Sequence, residues 1–483
     1  MTMVAQPDTD PTLGNARHAS EIQLTDEQRR ITTDRYTKPE VLRAEIEKVW
    51  LNVWQMACRE DDVANPGDFF EYAIGPKSFL IVRGEDGVVR GFHNVCRHRG
   101  NVLKEGAGNC AGKIVCGFHF WAYGLDGELT NVPDAEVFGD VDRAKLSLTK
   151  IAVDVWGGWV FIHPNAEKAE PLLEFLSPLP ERITGYHLDK LVPVGLNVRT
   201  PSSCNWKVAV EAFLELYHLP AVHPQVISMV DDRNPLFEEF DTHNLMIIPM
   251  ATPSPKLGES FPVEETLRNY FGVPDGALDR PDDERNLDRA AVVDKSDKRS
   301  KGGVANGDYF MPSDLSNPIA IFDQFRDADG NLDITNAELK IVLARFFRGV
   351  AEAKGVDFSS LTDRQMVDDW HYFIFPNVVI NVTAASFLMY RFTPDWSDPN
   401  KCIVELVSYE WVLDPEQASA VRAPVRAFGE LEESLGLLMD QDFYQMPRVH
   451  KGMQSGSIDE LILGNQEVRI AHFHSVLNRY LTA

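Results

Sequence analysis

The chain of 483 residues carries 47 basic and 73 acidic side chains, which gives a formal net charge of −26. Hydrophobic residues make up 44% and charged residues 25% of the chain, the usual mix of a globular protein, so a disordered or fibrous chain is excluded. The acidic balance argues against nucleic acid or an anionic membrane as a partner, because phosphate binding requires concentrated lysine and arginine.

Residues 1–37 are polar and predict an N-terminal arm. They have neither the basic start nor the apolar core of a signal peptide. No stretch of the chain approaches the roughly 18 consecutive apolar residues that span a bilayer. Six cysteines are too few and too scattered for a disulfide scaffold. We therefore expect a cytoplasmic protein that has no membrane partner.

An all-β domain is predicted over residues 38–170. It opens with apolar residues at helical spacing over residues 39–53, which predicts a leading helix. Short β-like runs broken by glycines follow at residues 69–74, 78–83, 88–94, 113–116 and 156–163. A boundary is indicated by the turn-forming residues Pro178 and Pro180.

The remaining residues, 171–483, mix helical and strand patterns and predict a larger α+β domain. Helices are expected over residues 206–217 and from residue 416 through 439 and past Asp442. Central antiparallel strands are expected at residues 372–383, 387–391 and 402–412. A highly charged stretch at about residues 276–308 predicts an insertion.

Cysteine and histidine alternate in two short, glycine-rich loops of the predicted β domain. Cys96 and His98 form one pair, and Cys116 and His119 form a second pair after seventeen intervening residues. Structural zinc sites usually group cysteines with cysteines and histidines with histidines. A mixed pair on each loop suits a Rieske [2Fe–2S] centre, in which one iron takes both thiolates and the other takes both imidazoles. A zinc site and coincidence are the alternatives.

A helical run after Asn205 carries acidic residues and histidines in the order E-x₃-E-x₂-H-x₄-H: Glu211, Glu215, His218 and His223. Pro220 breaks the helix and allows the second histidine to turn back toward the first. Carboxylates and imidazoles that face a core are costly to bury unless they bind a metal or pair. Two histidines and one carboxylate are the ligands of a mononuclear Fe(II) site. The alternative is an exposed acidic helix with incidental histidines.

Together the two motifs resemble those of the α (oxygenase) subunits of Rieske non-haem iron ring-hydroxylating oxygenases. The segment CRHRGNVLKEGAGNCAGKIVCGFHFWAYGLDGEL is similar to the cluster-binding segment of that family. The resemblance implies one [2Fe–2S] cluster with two cysteines on one iron and two histidines on the other: Cys96, Cys116, His98 and His119. Many members have glycine after the second histidine, whereas this chain has Phe120.

By the same resemblance, the helical run corresponds to the catalytic motif of the family. It implies that His218 and His223 bind the mononuclear iron. It also implies that Glu215 is the bridge that carries electrons from a cluster histidine of the neighbouring subunit. Most members have aspartate there, and the glutamate resembles carnitine-type oxygenases. For the third ligand, Asp442 is preferred to Asp440 because a glycine follows it by ten residues, as in the family.

The activity implied is that of a terminal oxygenase (EC 1.14) that uses O₂ to dihydroxylate or mono-oxygenate a hydrophobic, aromatic substrate, as in aromatic compound catabolism. The chain has no glycine motif for NAD or flavin. Electrons from NAD(P)H are therefore expected through a reductase, with or without a ferredoxin. A homotrimer is implied, with or without β subunits. The alternatives are a mono-oxygenase of a steroid, terpenoid or amine and, from another class, a Rieske electron-transfer or sensor protein.

Two further patterns lie outside the predicted metal sites. Residues 327–338 nearly spell an EF-hand, but Leu332 replaces the glycine of the sharp turn, so an acidic turn is favoured over a calcium site. The cluster loops carry basic residues in an otherwise acidic chain, and these predict a docking patch for an acidic electron donor: Arg97, Arg99, Lys104 and Lys113.

Overall fold

The computed structural model describes residues 11–140, 142–271 and 318–482. The predicted charged insertion, residues 276–308, lies outside these described residues. The chain divides into two compact units. The smaller unit consists of Pro39–Pro180 with Leu477–Ala483, and the larger unit consists of Met1–Lys38 with Glu181–Val476. Among the described residues, no helix has the length and apolar character needed to cross a membrane.

The smaller unit is built from two β-sheets. Seven strands, each antiparallel to its neighbours, form the main sheet in the spatial order Gln55–Arg59, Trp159–His163, Lys150–Trp156, Val89–His93, Lys77–Arg83, Asp68–Ile74 and Ala107–Asn109. The second sheet contains Leu129–Asn131, Ala122–Tyr123 and Ile114–Val115. Apolar side chains from both sheets share one core, which includes Cys96 and Cys116. The predicted β architecture is confirmed.

Short helices flank the β region of the smaller unit. The helix expected at residues 39–53 is Pro39–Glu45, followed by a π-helical turn at Ile46–Trp50. Its apolar face is buried, and Val49 and Trp50 are fully shielded from solvent. Near the end of the unit, Leu172–Leu176 forms another helix that buries three apolar side chains.

A nine-stranded sheet forms the centre of the larger unit. Its strands lie in the order Arg17–His18, Leu236–Glu239, Asn244–Ile248, Asp369–Ile374, Val378–Val382, Phe387–Pro394, Cys402–Trp411, Leu191–Ser202 and Arg426–Ala427. All neighbouring pairs are antiparallel except the last, which is parallel. With the helices that pack on this sheet, the predicted α+β class with a central antiparallel sheet is confirmed.

The larger unit also contains helices, which alternate with the strands of this sheet along the chain. The described α-helical segments of this unit include Asp34–Thr37, Trp206–Glu211, Leu219–Val222, Val263–Tyr270, Asn336–Ala353, Asp363–Val367, Pro415–Val421 and Leu437–Gln454. A further helix, Val468–Thr482, begins in the larger unit, and its residues from Leu477 onward belong to the smaller one. Two of them, the motif helix (Trp206–Glu211) and the Asp442 helix (Leu437–Gln454), pack against each other. The motif helix also packs on the strands Phe387–Pro394 and Cys402–Trp411. This packing places the motif helix between the sheet and the Asp442 helix.

Three predicted elements differ from the structure. The long helix over residues 416–439 is wrong: Pro415–Val421 and Leu437–Gln454 are separated by a segment that contains the short strand Arg426–Ala427. Pro424 within that segment lacks the N–H that a helix requires. The strand expected at residues 372–383 is a hairpin of two strands, because turn-forming residues follow Phe375. The helix expected over residues 206–217 ends at Glu211.

The predicted N-terminal arm, where it is described, belongs to the larger unit. Its strand Arg30–Thr32 pairs with Glu460–Ile462. Tyr36 is fully buried, and its hydroxyl donates to the Glu211 carboxylate at 2.9 Å. These contacts join the arm to segments that follow it by hundreds of residues, so the larger unit is discontinuous in sequence. This differs from the predicted division into residues 1–37, 38–170 and 171–483.

The EF-hand-like segment at residues 327–338 forms a tight turn that leads into a helix. Asp327 accepts the backbone N–H groups of Asp329 and Asn331, each at 2.9 Å. Glu338 accepts the backbone N–H of Thr335 at 2.8 Å and completes the capping box of the helix that follows. The carboxylates of Asp327 and Glu338 thus make local hydrogen bonds typical of a turn and a helix cap.

Candidate metal centres

The two cysteine–histidine loops of the smaller unit share one hydrogen-bond pattern. In the first loop the Cys96 amide donates to the Asn101 carbonyl at 2.8 Å, and the Gly100 amide donates to the Cys96 carbonyl at 3.0 Å. The second loop repeats both bonds from Cys116, at 2.9 and 3.1 Å. Each loop therefore holds its thiol in an equivalent local frame, although the histidine lies two residues after Cys96 and three residues after Cys116.

The two loops differ at one equivalent position. Gly100 has a φ of 76°, in the left-handed region that glycine adopts without steric cost. The residue that makes the same hydrogen bond in the second loop is Phe120, and its φ is 56°. A bulky side chain is strained in this region, and such strain occurs mainly at functional sites. The Phe120 side chain is 67% exposed.

The two histidines come together at the tips of these loops. The ring centroids of His98 and His119 lie 4.6 Å apart, and the buried Trp121 stacks on His98 at 4.8 Å. The Nδ1 atom of His98 is buried and has no hydrogen-bond partner among the described residues. Burial, followed by His119 and Arg99, lowers the pKa of His98 and favours a neutral imidazole. A buried, neutral, unpartnered imidazole nitrogen fits a metal ligand.

Cys96 and Cys116 are buried free thiols beside the histidines. The Tyr123 hydroxyl lies 3.4 Å from Cys96 Sγ, and Asn101 Nδ2 lies 3.8 Å from Cys116 Sγ. Burial tends to raise the pKa of Cys116, but two backbone N–H groups of its loop, the Cys96 side chain and Asn101 lower it below the usual value. Tyr123 and Asn101 were not identified from the sequence, because neither residue belongs to the spacing motif.

The motif helix of the larger unit begins at a capping asparagine. The Asn205 side chain accepts the Lys207 amide at 3.0 Å and donates to two backbone carbonyls. All six helical residues are buried. At its end, Glu211 accepts hydrogen bonds from Tyr36 and from His474, the latter at 2.8 Å. The first carboxylate of the sequence motif therefore joins three segments of the fold and lies outside the histidine cluster.

His218 and His223 flank the one-turn helix Leu219–Val222, as its N-cap and C-cap. Glu215 positions the first of them: its carboxylate accepts the His218 backbone N–H at 3.0 Å and the ring Nδ1 at 2.6 Å. Pro220, at the start of the turn, suits this helical position. The two ring centroids lie 5.1 Å apart, so the turn back predicted from the proline is observed.

The Asp442 helix supplies a carboxylate to the same point. Asp442 Oδ1 lies 2.9 Å from His223 Nε2 and 3.8 Å from His218 Nε2. One ligand atom from each of the three residues lies within 4.8 Å of the others. Asp440 lies elsewhere, because its carboxylate accepts hydrogen bonds from Ser434 and from the Leu435 amide ahead of the helix.

Both histidines present the same ring nitrogen to Asp442. His218 Nδ1 is held by Glu215, and His223 Nδ1 lies 2.8 Å from Gln441 Oε1. Gln225 donates to the same amide oxygen at 2.7 Å. These partners leave each Nε2 free for a metal, the usual task of groups that orient metal-binding histidines. The Gln225–Gln441 pair was missed from the sequence, because glutamine carries no metal-site signal.

The electrostatics of this cluster favour a cation. Burial tends to lower the pKa of His218, but the carboxylates of Glu215 and Asp442 outweigh it and raise that pKa to about 9. A field that stabilises a proton on this imidazole also stabilises a divalent metal at the same place. Two imidazoles and one carboxylate that converge on one point fit a mononuclear non-haem iron.

A cavity of about 100 Å³ adjoins the cluster in the larger unit. One side is formed by the cluster and the other by the central sheet. Four methionines and two aromatic residues contribute to a mainly apolar lining: Met229, Met246, Met250, Met439, Phe213 and Tyr390. A larger cavity of about 400 Å³ in the same unit contains none of the predicted site residues. The smaller cavity is therefore the candidate substrate site.

Family models match both units of the chain. The model of the Rieske [2Fe-2S] domain matches residues 53–145. The model of the ring hydroxylating alpha subunit catalytic domain matches residues 186–282 and 346–483. The chain belongs to the α subunits of Rieske non-haem iron ring-hydroxylating oxygenases. Its cofactors are the two of that family, a Rieske cluster and a mononuclear iron, and the described side chains fit both.

Curated relatives of the chain are oxygenase subunits. The carnitine monooxygenase oxygenase subunit of Escherichia coli K12 is 34% identical over 192 residues, 39% of this chain and 50% of the relative. The glycine betaine monooxygenase oxygenase subunit of Chromohalobacter salexigens is 30% identical over 256 residues, 53% of this chain and 55% of the relative. The chain thus spans about half the length of the relatives that it matches.

Among solved structures, the quaternary ammonium Rieske monooxygenase CntA with L-carnitine matches with a TM-score of 0.58 at 17% identity, over 93% of this chain and 94% of that one. A naphthalene 1,2-dioxygenase with indole bound matches with a TM-score of 0.60 at 16% identity, over 95% of this chain and 94% of that one. At these identities the two likenesses establish the common fold.

Proposed function

We propose that the chain is the terminal component of a multicomponent oxygenase that mono-oxygenates a small, non-aromatic amine. The cluster ligands are two cysteines and two histidines of the smaller unit: Cys96, His98, Cys116 and His119. The mononuclear iron ligands are His218, His223 and Asp442. The convergence of these three residues beside a cavity carries the proposal, because O₂ and substrate both need access to one open metal site.

The substrate class rests on two observations. The relatives at 30% identity or more are named as oxygenase subunits for carnitine and glycine betaine, both of them small quaternary ammonium compounds and neither of them aromatic. The candidate cavity measures about 100 Å³, which is smaller than an engineered cavity of about 150 Å³ that binds benzene. Both favour a compact amine over a fused-ring arene. The alternative expectation from the sequence, an amine mono-oxygenase, is thus better supported than the main one, a hydrophobic aromatic substrate.

The likeness to naphthalene dioxygenase gives no independent support for ring dihydroxylation, because it is a likeness of fold. The Rieske carrier or sensor alternative is disfavoured by the catalytic-domain match and by the three-ligand cluster. The proposed reaction inserts one oxygen atom of O₂ into a C–H bond next to nitrogen. The other oxygen leaves as water, with two electrons from the partner protein and two protons from solvent. Hydroxylation of an N-methyl group then releases formaldehyde and the demethylated amine.

The electron donor in this proposal is an NAD(P)H-driven reductase, with or without a ferredoxin. Basic side chains surround the cluster loops, and Arg97, Arg99 and Lys113 are exposed. Phe118 and Phe120 are exposed beside them, at 55% and 67%. An acidic partner is repelled by the chain as a whole and attracted to this patch. The patch therefore serves as the docking site.

Transfer from cluster to iron is assigned to a subunit boundary, with Glu215 as the bridge. The assignment is supported by the Glu215 carboxylate, which holds Nδ1 of a proposed iron ligand at 2.6 Å. It requires a head-to-tail ring of subunits, and the family resemblance implies that this ring is a trimer, with or without β subunits.

The experiment that tests the proposal is turnover of the iron-loaded protein with a surrogate reductase, with product read by mass spectrometry. The panel contains small N-methylated amines and naphthalene. We expect O₂ uptake to match formaldehyde and demethylated amine, and naphthalene to give no product. A naphthalene dihydrodiol formed without any amine product contradicts the proposal. Asp442→Ala is the inactive control.

A further inference from the structure

The sheet side of the candidate cavity carries polar residues on a central strand. Asp369 and His371 alternate along Asp369–Ile374 and so share one face of the sheet. Asn381, on the neighbouring strand, is paired with His371. All three line the same cavity as the proposed iron ligands. Polar groups on a buried strand are costly unless something satisfies them.

Asp369 is left incompletely satisfied by the described residues. It is only 2% exposed. Its Oδ2 accepts a hydrogen bond from Asn381 Nδ2 at 2.5 Å. Its Oδ1 is buried without a partner, and so is Oδ1 of Asn381. Two adjacent side chains thus each retain an unpartnered acceptor oxygen at the cavity wall.

The Arg469 guanidinium is a positive charge that acts on Asp369, but its hydrogen bonds go to other residues. Arg469 is fully buried and donates to Asn244 at 2.5 Å and to Nδ1 of His371 at 2.9 Å. Burial and Arg469 hold the pKa of His371 far below its usual value, so the imidazole is neutral. The described lining of the cavity includes no lysine or arginine. The carboxyl group of Asp369 therefore faces a cavity whose described lining supplies it with no hydrogen bond from a lysine or arginine.

We infer that Asp369, with Asn381, is the recognition group for the substrate nitrogen, and that the preferred substrate is a protonated amine with an N–H group and no carboxylate. This inference rests on the proposed function and narrows it. An ammonium N–H satisfies an unpartnered carboxylate oxygen by a charge-assisted hydrogen bond. A quaternary ammonium supplies the charge alone. A substrate carboxylate finds no basic side chain in the described lining.

The protonation behaviour of Asp369 agrees with this role. Burial raises the pKa of Asp369 to about 7, although Asn381, the Val382 amide and Arg469 act to lower it. A bound cation removes much of this cost, because it supplies the missing opposite charge. The methionine-rich remainder of the cavity is soft and adaptable, and it suits the methyl and methylene groups of a small amine.

The test compares three compounds by calorimetry on the oxidised, iron-loaded protein; they share one skeleton, to which choline adds a methyl group. N,N-dimethylethanolamine carries charge and an N–H group, choline carries charge alone, and 3-methylbutan-1-ol carries neither at the same position. We expect dimethylethanolamine to bind about tenfold more tightly than choline, and the alcohol to bind more weakly than both. Equal or tighter binding of choline or of the alcohol overturns the inference, and this comparison needs no variant.

Two variants test whether Asp369 causes the preference for dimethylethanolamine over choline. Asp369→Asn keeps the size of the side chain and should remove the preference for the amine. Asp459→Asn, at an exposed position of the same unit, should keep it. A preference that persists in Asp369→Asn overturns the inference. Turnover separates the two proposals: binding that depends on Asp369 without formaldehyde leaves recognition standing and removes mono-oxygenation. Formaldehyde formation that is unchanged in Asp369→Asn supports mono-oxygenation and removes the role of Asp369 in recognition.

Discussion

The two metal centres are assembled in opposite ways. In the smaller unit, the proposed ligands lie within residues 96–119, on two loops with the same hydrogen bonds. In the larger unit, Asp442 lies 219 positions from His223 and arrives on a separate helix. The first centre is therefore encoded by local sequence, whereas the second exists only when distant elements pack. The first should respond to changes within its loops, and the second to changes in the long-range assembly.

The largest effect is expected at the residue that joins the distant helix to the histidines. Asp442→Ala removes the only carboxylate of the described three-residue cluster. The mononuclear iron and product formation should both be lost, while the cluster spectrum stays intact. The measurement is iron content together with visible absorbance. Asp440→Ala is the matched control on the same helix and should retain iron and activity. The opposite ranking would mean that Asp440 is the ligand.

The next largest effect is expected at Glu215. Glu215→Gln keeps the size of the side chain but removes the charge that holds His218 Nδ1 at 2.6 Å. Reduction of the cluster by its donor should stay near normal, because it occurs in the smaller unit. Oxidation of the pre-reduced cluster by O₂ and substrate should slow by orders of magnitude, as followed by rapid mixing. A normal rate in this variant would remove Glu215 from the electron path.

A smaller effect is expected beside the cluster. Tyr123→Phe removes the hydroxyl that lies 3.4 Å from Cys96 Sγ. Hydrogen bonds to cluster sulfur raise the reduction potential. A loss of about 1 kcal/mol corresponds to a fall of about 40 mV for one electron. Redox titration measures it. Tyr72→Phe removes a hydroxyl that bonds to Gln55 in the same unit and should leave the potential unchanged. An unchanged potential in both variants would assign Tyr123 to packing alone.

The smallest effect is expected from two variants that compare the cluster loops at their equivalent position. Phe120→Gly relieves the left-handed strain at φ 56° and should stabilise the smaller unit by about 1 kcal/mol. Gly100→Ala imposes strain at the equivalent position and should destabilise it by a similar amount. Thermal unfolding followed through the cluster absorbance measures both. If Phe120→Gly instead destabilises the unit, the exposed aromatic ring contributes packing that outweighs the backbone strain.

The sequence predicted the local centre more completely than the distant one. The cysteines and histidines of the smaller unit were recognisable because spacing alone places them on paired loops. The third ligand of the larger unit was selected from two aspartates only through a family resemblance. Local periodicity cannot report which helix packs against the motif helix, and that packing brings Asp442 to His218 and His223.

The residues and the helix that the sequence did not predict correctly have a common physical origin. Tyr123, Gln441 and Asp369 carry no motif, and their roles depend on contacts between strands or helices that are remote in sequence. The helix wrongly expected over residues 416–439 followed from apolar spacing, although Pro424 lies within it. Burial of polar groups is a tertiary property, so only the folded chain brings out the unpartnered oxygen of Asp369.

The pairing of Arg30–Thr32 with Glu460–Ile462 has a consequence for biosynthesis. Nearly all of the smaller unit leaves the ribosome as one stretch, so its sheets can form while the rest of the chain is still being translated. The larger unit holds an N-terminal strand whose partner is made more than 400 residues later. Its closure therefore waits until residues 460–462 have been made, and contacts of that sequence separation slow folding. Both sheets of the cluster domain can therefore form before the iron domain closes.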